Sequence, residues 1–383
     1  MAWREVKVEE ERIKFVQALS TGVSFAELCR LFGISRPTGY KWLKRWEEQG
    51  CEGLKNQSTA PHSNPNMIKP VIENEILEIR FKFPKMGPRK IYAKLIDLKP
   101  EIEWPSPSTI GNILDRNGLT ARRQFRKRVA ANVPNVFHGL DSNEVWCMDF
   151  KGTLKTNDNK KCDPFTLTDS TSRFLIKCQI LARNNFRSVW AVLETAFREC
   201  GLPEFILSDN GPPFATRGIG RLSRLSIILI KAGVKPLWIA PGKPQQNGRH
   251  ERMHGTMESE LGNPAANSIS ELRTKLERFQ YYYNYERPHE AIGQIPPGKI
   301  YQPSCRVWNG KFQTPEYSSD YVTRKVQKDG TINLNGKRIF VGETLHQEYV
   351  GLLDANDELR VYYGDIFLGV VNDDLKIKFK RIT

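Results

Sequence analysis

The chain predicts a multidomain protein: all-α units first, an α/β core in the middle and a small all-β domain last. Three observations carry this. Residues 21–50 read as helix, glycine turn, helix; residues 143 to about 300 alternate short apolar runs with amphipathic helices; and 317–383 alternate apolar with polar residues around Asp329-Gly330 and Asn335-Gly336. At 383 residues the chain is long enough for two to four domains with their own cores.

In order, Val8, Ile13, Val16 and Leu19 place an amphipathic helix over 5–20. Ser24 is placed to cap FAELCRLF, Gly33-Ile34-Ser35 is a tight turn, and Ser35 caps RPTGYKWLKRWEEQG, with Pro37 in the first turn where its missing N–H costs little. This helix-turn-helix, assigned to 1–52, carries its basic residues on the second helix. Arg36, Thr38, Tyr40, Lys41, Lys44 and Arg45 are therefore expected to read a major groove and clamp phosphates. The alternative is a surface helix of a small bundle, with Trp42 and Trp46 as core. Residues 53–66 are a linker by composition, and 67–120 form a second helix-turn-helix-like unit with helices over 68–83, 89–99 and 109–117. For this unit helix packing without base contact competes with DNA recognition. Residues 121–140 are a basic linker, in which Arg122, Arg123, Arg126, Lys127 and Arg128 are expected to lie on phosphate and steepen the salt dependence of binding.

The core is assigned to 141–305, with strands over 145–150, 164–169, 173–181, 204–208 and 234–240. Its helices are placed over 187–200, 220–232, 247–261 and 268–285. TINLNGKRIFV, LRVYYGDIFLGVV and KIKFKRI give the last domain, 317–383, two hairpin turns and a barrel or small sheet.

The formal charge of +15 favours a polyanionic partner, and residues 1–140 hold 24 Lys and Arg against 15 Asp and Glu. Seven cysteines, odd in number and never in C-x-x-C, argue against a disulfide framework and a zinc finger and point to a reducing, cytoplasmic setting. The charged start MAWREVKVEEERIK does not read as a signal peptide, and no apolar run reaches membrane length.

The chemistry sits on three carboxylates. Asp149 ends the strand in VWCMDF, Asp209 follows Phe205-Ile206-Leu207 before an Asn-Gly turn, and Glu251 lies just inside a helix opened by Asn247-Gly248. Two strand-end aspartates and a helix-borne glutamate are hard oxygen ligands of the kind magnesium or manganese takes. At W-x-x-D-F, S-D-N-G, P-x-x-N-G-x-x-E-R and Tyr285-x-Arg287-Pro288-His289 the chain resembles DDE-type insertion-sequence transposases with a retroviral-integrase-like core, over roughly residues 20–300.

The resemblance implies a ribonuclease-H-like core and a transposase that binds terminal inverted repeats, cleaves 3′ ends and joins them to target DNA. It implies two Mg2+ or Mn2+ ions held by Asp149, Asp209 and Glu251, double-stranded DNA as partner, a homo-oligomer on DNA and a bacterial-type cytoplasm. A transposase-derived DNA-binding regulator is the alternative. The polar loop with Lys243, Gln245, Gln246, Asn247, Arg249 and His250 resembles the active-site loop of integrases and is expected to touch DNA, through Lys243, Gln245, Asn247 and Arg249 above all.

Rivals exist for the first and third ligands. Glu258, two turns past Glu251 on the same helix face, stands where similar enzymes carry a basic residue. Glu260 and Glu194 read as solvent residues, and Asp169 as a turn residue. His250 and His254 are expected to hydrogen-bond, with metal binding as the other option. Arg287 and His289 either reach DNA or close a helix C-terminus.

Overall fold

Three helices, α1 (Val8–Ala18), α2 (Phe25–Leu31) and α3 (Arg36–Gln49), enclose Phe15, Val16, Leu28 and Cys29. The Ser35 side chain accepts the Thr38 amide at 3.3 Å, as an N-cap should, whereas Ser24 makes no side-chain cap bond. The turn between α2 and α3 needs Gly33 at φ 65°, and Gly39 in α3 lies so close to Cys29 and Phe25 that a larger residue would part the helices.

The computed structural model describes residues 8–56, 67–120, 139–261, 265–355 and 358–378, so the basic run Arg122, Arg123, Arg126, Lys127 and Arg128 lies outside the described residues. The chain divides into two units, Met1–Ile68 and Lys69–Thr383. No helix among the described residues is long and apolar enough to cross a membrane.

The second unit opens with α4 (Pro70–Lys82), α5 (Pro88–Leu98) and α6 (Pro107–Arg116), closed around Ile76, Ile91, Leu95, Ile110 and Ile113. The central sheet follows: β1 (Val145–Phe150), a small hairpin β2 (Leu154–Lys155) and β3 (Lys161–Cys162), β4 (Pro164–Asp169), β5 (Leu175–Ile180), β6 (Phe205–Ser208) and β7 (Lys235–Trp238). Its order is β5-β4-β1-β6-β7, with β4 and β5 antiparallel to their neighbours and β1, β6 and β7 parallel. Alternation along the strands divides the side chains between two faces. Trp146, Met148, Phe165 and Leu167 pack on α7 (Phe186–Cys200) and α8 (Arg224–Lys231). Leu175 and Cys178 pack with Met253, Met257, Leu272 and Leu276 of α9 (Gly248–Leu261) and α10 (Ile269–Tyr281) on the other.

Two helices are shorter than the sequence predicts. Helix α8 starts at Arg224 because Gly220 and Arg221 take left-handed φ of 64° and 57° and Ser223 supplies the cap. Helix α10 gives way at Tyr282 to a π-helical turn, in which Asn284 accepts the Leu175 amide and donates to the Leu175 carbonyl.

The last domain is a five-stranded antiparallel sheet, β14-β13-β12-β11-β8, plus a β9–β10 hairpin. The strands are β8 (Tyr321–Lys325), β9 (Thr331–Leu334), β10 (Lys337–Phe340), β11 (Tyr349–Ala355), β12 (Glu358–Tyr363), β13 (Ile366–Val371) and β14 (Ile377–Lys378). Asn335-Gly336, at φ 50° and 80°, makes the expected hairpin. Asp329-Gly330 turns the chain but joins no paired strands, since β8 pairs with β11. The domain's core takes in Leu222 and Ile227 from the region around α8, so it is seated on the central sheet domain by a shared apolar cluster.

Candidate active site

Asp149 is the fifth residue of β1, on the face that looks toward α9, and its register partner in β4 is Thr166. Its Oδ1 accepts the Phe150 amide at 2.8 Å and its Oδ2 accepts the Asn247 side-chain amide at 3.3 Å. Asp209 stands one residue past β6, where Oδ1 accepts the Gly211 amide at 3.1 Å. A Cβ at 211 would meet Asp209 Oδ2 at 3.2 Å, so glycine is what lets the backbone approach. Glu251 is exposed in the first turn of α9, where the helix dipole favours a negative charge.

The Asp149 carboxyl is pushed up to about 7, first by burial, then by the negative charges of Asp209 and Glu251, against the pull of the Phe150 amide and Lys151. Carboxylates that disfavour one another's ionisation are relieved by a cation. Beside them the Asn247 Oδ1, on a residue only 5 % exposed, has no hydrogen-bond partner among the described residues. This all-oxygen donor set fits a hard divalent ion. Among the described residues, however, no three Asp, Glu, His or Cys side chains stand ready at ligand distance, so the carboxylates are neighbours rather than a closed cage.

The polar loop splits into outward and inward residues. Lys243 and Gln245 are exposed. Gln246 accepts the Ala240 amide at 2.7 Å, Asn247 is turned onto Asp149, and Arg249 donates to the Ser170 carbonyl at 3.1 Å. Both histidines are buried against β4. Burial, then the neighbouring His254, holds His250 well below its usual range, and burial, then Lys151, holds His254 at about 4. Glu258 faces Lys151 at 3.5 Å, with the lysine side chain only 16 % exposed. Asp169 is buried in its turn, accepting the amides of Asn143 and Ser172. Glu194 pairs with Arg198, and Glu260 accepts from the Tyr282 hydroxyl at 3.4 Å.

In the first unit Arg36, Tyr40, Lys41 and Lys44 are exposed on α3. Thr38 bonds the Ser35 hydroxyl at 2.8 Å, Tyr40 stacks on Phe25, and Arg45 lies against the Trp42 ring. Two residues past Arg287, His289 is buried and contacts the Tyr283 carbonyl through Nε2 at 3.1 Å. The sequence reading passed over Thr166 and Thr168, which hold the two histidines, and Lys151. Polar residues two apart in the otherwise apolar PFTLTD were the available signal.

Two models described as "Integrase core domain" match residues 140–244 and 232–297, a "Helix-turn-helix domain" model matches 11–62, and a "Homeodomain-like domain" model matches 38–114. A 31.7 kDa protein of insertion element IS407 from Burkholderia multivorans is 25% identical over 282 residues, covering 73% of this chain and 90% of the relative. The transposase of transposon Tn552 from Staphylococcus aureus is 22% identical over 404 residues, covering 90% and 79%. Among solved structures, the HTLV-2 integrase catalytic core domain in complex with magnesium is 16% identical, with a TM-score of 0.34 over 43% of this chain and 99% of that one. Helix-turn-helix and homeodomain-like modules ahead of an integrase core, together with the insertion-element and transposon relatives, support a DDE-type insertion-sequence transposase, a polynucleotidyl transferase.

Proposed function

We propose that the protein binds the terminal inverted repeats of its own mobile element, cleaves the 3′ ends and joins them to target DNA, with Asp149, Asp209 and Glu251 as the catalytic carboxylates. The single observation behind this assignment is that distant parts of the chain converge on Asp149: its strand β1 lies parallel beside β6, which ends just before Asp209, and Asn247, at the head of the Glu251 helix, donates to its carboxylate at 3.3 Å. In cleavage, water attacks the phosphorus and the 3′-oxygen leaves as a hydroxyl. In joining, that hydroxyl attacks a target phosphodiester and displaces the target's own 3′-oxygen, so one phosphodiester forms for each one broken. A pair of Mg2+ or Mn2+ ions, if held by the three carboxylates, would supply charge neutralisation and an activated nucleophile. The chain's own part is to hold these oxygens. Asn247 orients Asp149, the Gly211 amide orients Asp209, and the first turn of α9 presents Glu251.

Arg36, Lys41 and Lys44 on α3 read the ends, and Lys243 and Gln245 meet the strand being cut. Each active site handles one strand end, so at least two chains act together on paired ends. Asp149→Asn, Asp209→Asn and Glu251→Gln should each abolish nicking and joining while DNA binding persists. Full strand transfer by Glu251→Gln would remove that residue from the triple, and Glu258→Gln in the same series tests its rival. Mixing a Lys41/Lys44 double variant with Asp149→Asn tests division of labour: restored joining means that one subunit binds the end another cuts.

A further inference from the structure

Thr166 lies directly opposite Asp149 in the β1–β4 ladder, and three groups meet at its hydroxyl. These are the Asp149 carbonyl at 3.1 Å, His250 Nε2 at 2.7 Å and His254 Nε2 at 2.8 Å. Thr168, two residues on and on the same face, meets His250 Nδ1 at 2.8 Å. A hydroxyl has one proton to give and two lone pairs, and a carbonyl can only accept. Thr166 therefore gives its proton to Asp149, and both histidines must donate to it through Nε2–H. His250 Nδ1 is then left to accept from the Thr168 hydroxyl. This assignment fills every site on the Thr166 oxygen and both nitrogens of His250, with both rings neutral. It also leaves His250 no nitrogen for a metal.

The placement of the rings on α9 gives the cluster its use. His250 and His254 lie one turn apart on the side of α9 that faces the sheet, about a quarter-turn round the helix from Glu251. Apolar packing of Met253 and Met257 on Cys178 and Leu175 holds the helix down but is not directional. Hydrogen bonds are directional, and a slip of one residue along the helix, about 1.5 Å with about 100° of rotation, would break all three histidine contacts at once.

We infer that Thr166, Thr168, His250 and His254 form a positioning device that sets the rotation and axial register of α9 against β1, and so presents Glu251 to Asp149. The inference rests on the reading of Asp149, Asp209 and Glu251 as the catalytic triple. It makes the two histidines positioning residues and gives them no role in proton transfer.

The test uses the full chain, Mn2+ as the probe ion and supercoiled plasmid as the nicking substrate. Thr166→Val keeps the shape and removes the hydroxyl; Thr166→Ser keeps the hydroxyl. The valine variant should weaken Mn2+ binding, read by the EPR signal of the free ion, and slow nicking by about 10- to 100-fold. Its DNA affinity in chelator should stay within about twofold, because Thr166 is not among the residues proposed to bind DNA, and the serine variant should recover both losses. A valine variant that only unfolds more easily, with Mn2+ affinity and nicking rate per folded molecule unchanged, would make the cluster ordinary core and overturn the inference. If Thr166→Val does not fold, His254→Leu and His254→Gln take its place under the same criteria, since glutamine can still donate from the Nε2 position. Asp149→Asn is the control. If it still nicks, the triple falls and this inference with it; if it is dead while the valine variant is normal, only this inference falls.

Discussion

Helices α3 and α6 begin in the same way. Ser35 and Ser106 each accept the amide of a threonine three residues on, at 3.3 Å, and each helix has a proline in its first turn. On α3 the outward residues include Arg36, Lys41 and Lys44. On α6 they are Ser108, Asn112 and Asp115, and Arg116 faces Glu73 at 3.5 Å. Three basic residues of the second module sit instead on α5, turned toward the segment after α10. Arg89 meets Glu290 at 3.1 Å, Lys90 donates to the Pro288 carbonyl, and Lys94 pairs with Glu286. From the core side Lys299 pairs with Asp97. A cap and a proline make a helix, but they do not say what its outer face will meet. In the second module the lysines fasten the helices to the catalytic domain.

The sharpest way to break this contrast is Lys94→Ala. Lys94 is 7 % exposed and its loss leaves Glu286 without its cation, so unfolding of the second unit in urea should become easier by about 3–5 kcal/mol. Lys41→Ala, on an exposed stretch of α3, should leave stability unchanged. Equal effects from the two would erase the difference between the modules.

DNA binding sharpens the contrast from the other side. Arg36→Ala should cost about 1–3 kcal/mol at one position of the end sequence if it reads a base, or weaken all sequences alike if it holds phosphate. Asn112→Ala on α6 should do neither in a binding assay with randomised ends. A comparable loss at Asn112 would restore the second module as a DNA reader.

Acid separates the modules through their histidines. Helices α1–α3 contain none, whereas the second unit buries His254, held at about 4, and His289, held at about 3 by burial and then by Arg287. A folded-state value below the ordinary 6.5 means that the unfolded chain takes the proton first. This contribution to stability is complete above about 6.5 and is lost as the pH falls, through about 4 for His254 and about 3 for His289. Melting followed by circular dichroism from pH 7 to 4 should therefore show the second unit weakening while the α1–α3 helices hold. His289→Phe should flatten the slope.

The smallest effect belongs to Arg89→Ala. Both partners of its ion pair are more than two-thirds exposed, so the loss should be about 0–1 kcal/mol and should shrink in high salt. A loss as large as that of Lys94→Ala would mean that the docking depends on the whole row of contacts and not on the buried pair.

Much of the catalytic domain was legible because its signals are local. An apolar run ending in Asp149, another ending before Asp209, and a helix opened by Asn247-Gly248 each announce themselves within a few residues. What escaped depends on partners far along the chain. Thr166 looks like any strand threonine until His250, 84 residues later, lands on it. Glu258 looks like a lapse from a basic position until Lys151 is found opposite. Asp329-Gly330 has the composition of a hairpin, but Val326 bonds to the Glu348 carbonyl and Gln347 to the Val326 carbonyl, so the chain leaving β8 is already committed to the strand on its other side. Asn247 and Arg249 were expected to face DNA, and only the folded loop shows them turned onto Asp149 and Ser170.

The stretch between Asp209 and Glu251 includes the segment TRGIGRLSR. Gly220 in that stretch takes φ 64° and touches Leu368 of β13, while Leu222 enters the apolar cluster of the last domain. This segment is thus a seat for the β-domain, set beside one of the proposed ligands: Arg221 donates to Asn210, the neighbour of Asp209, at 2.9 Å. A larger residue at Gly220 should therefore be felt at two places at once, the footing of the β-domain on Leu368 and the loop that follows Asp209.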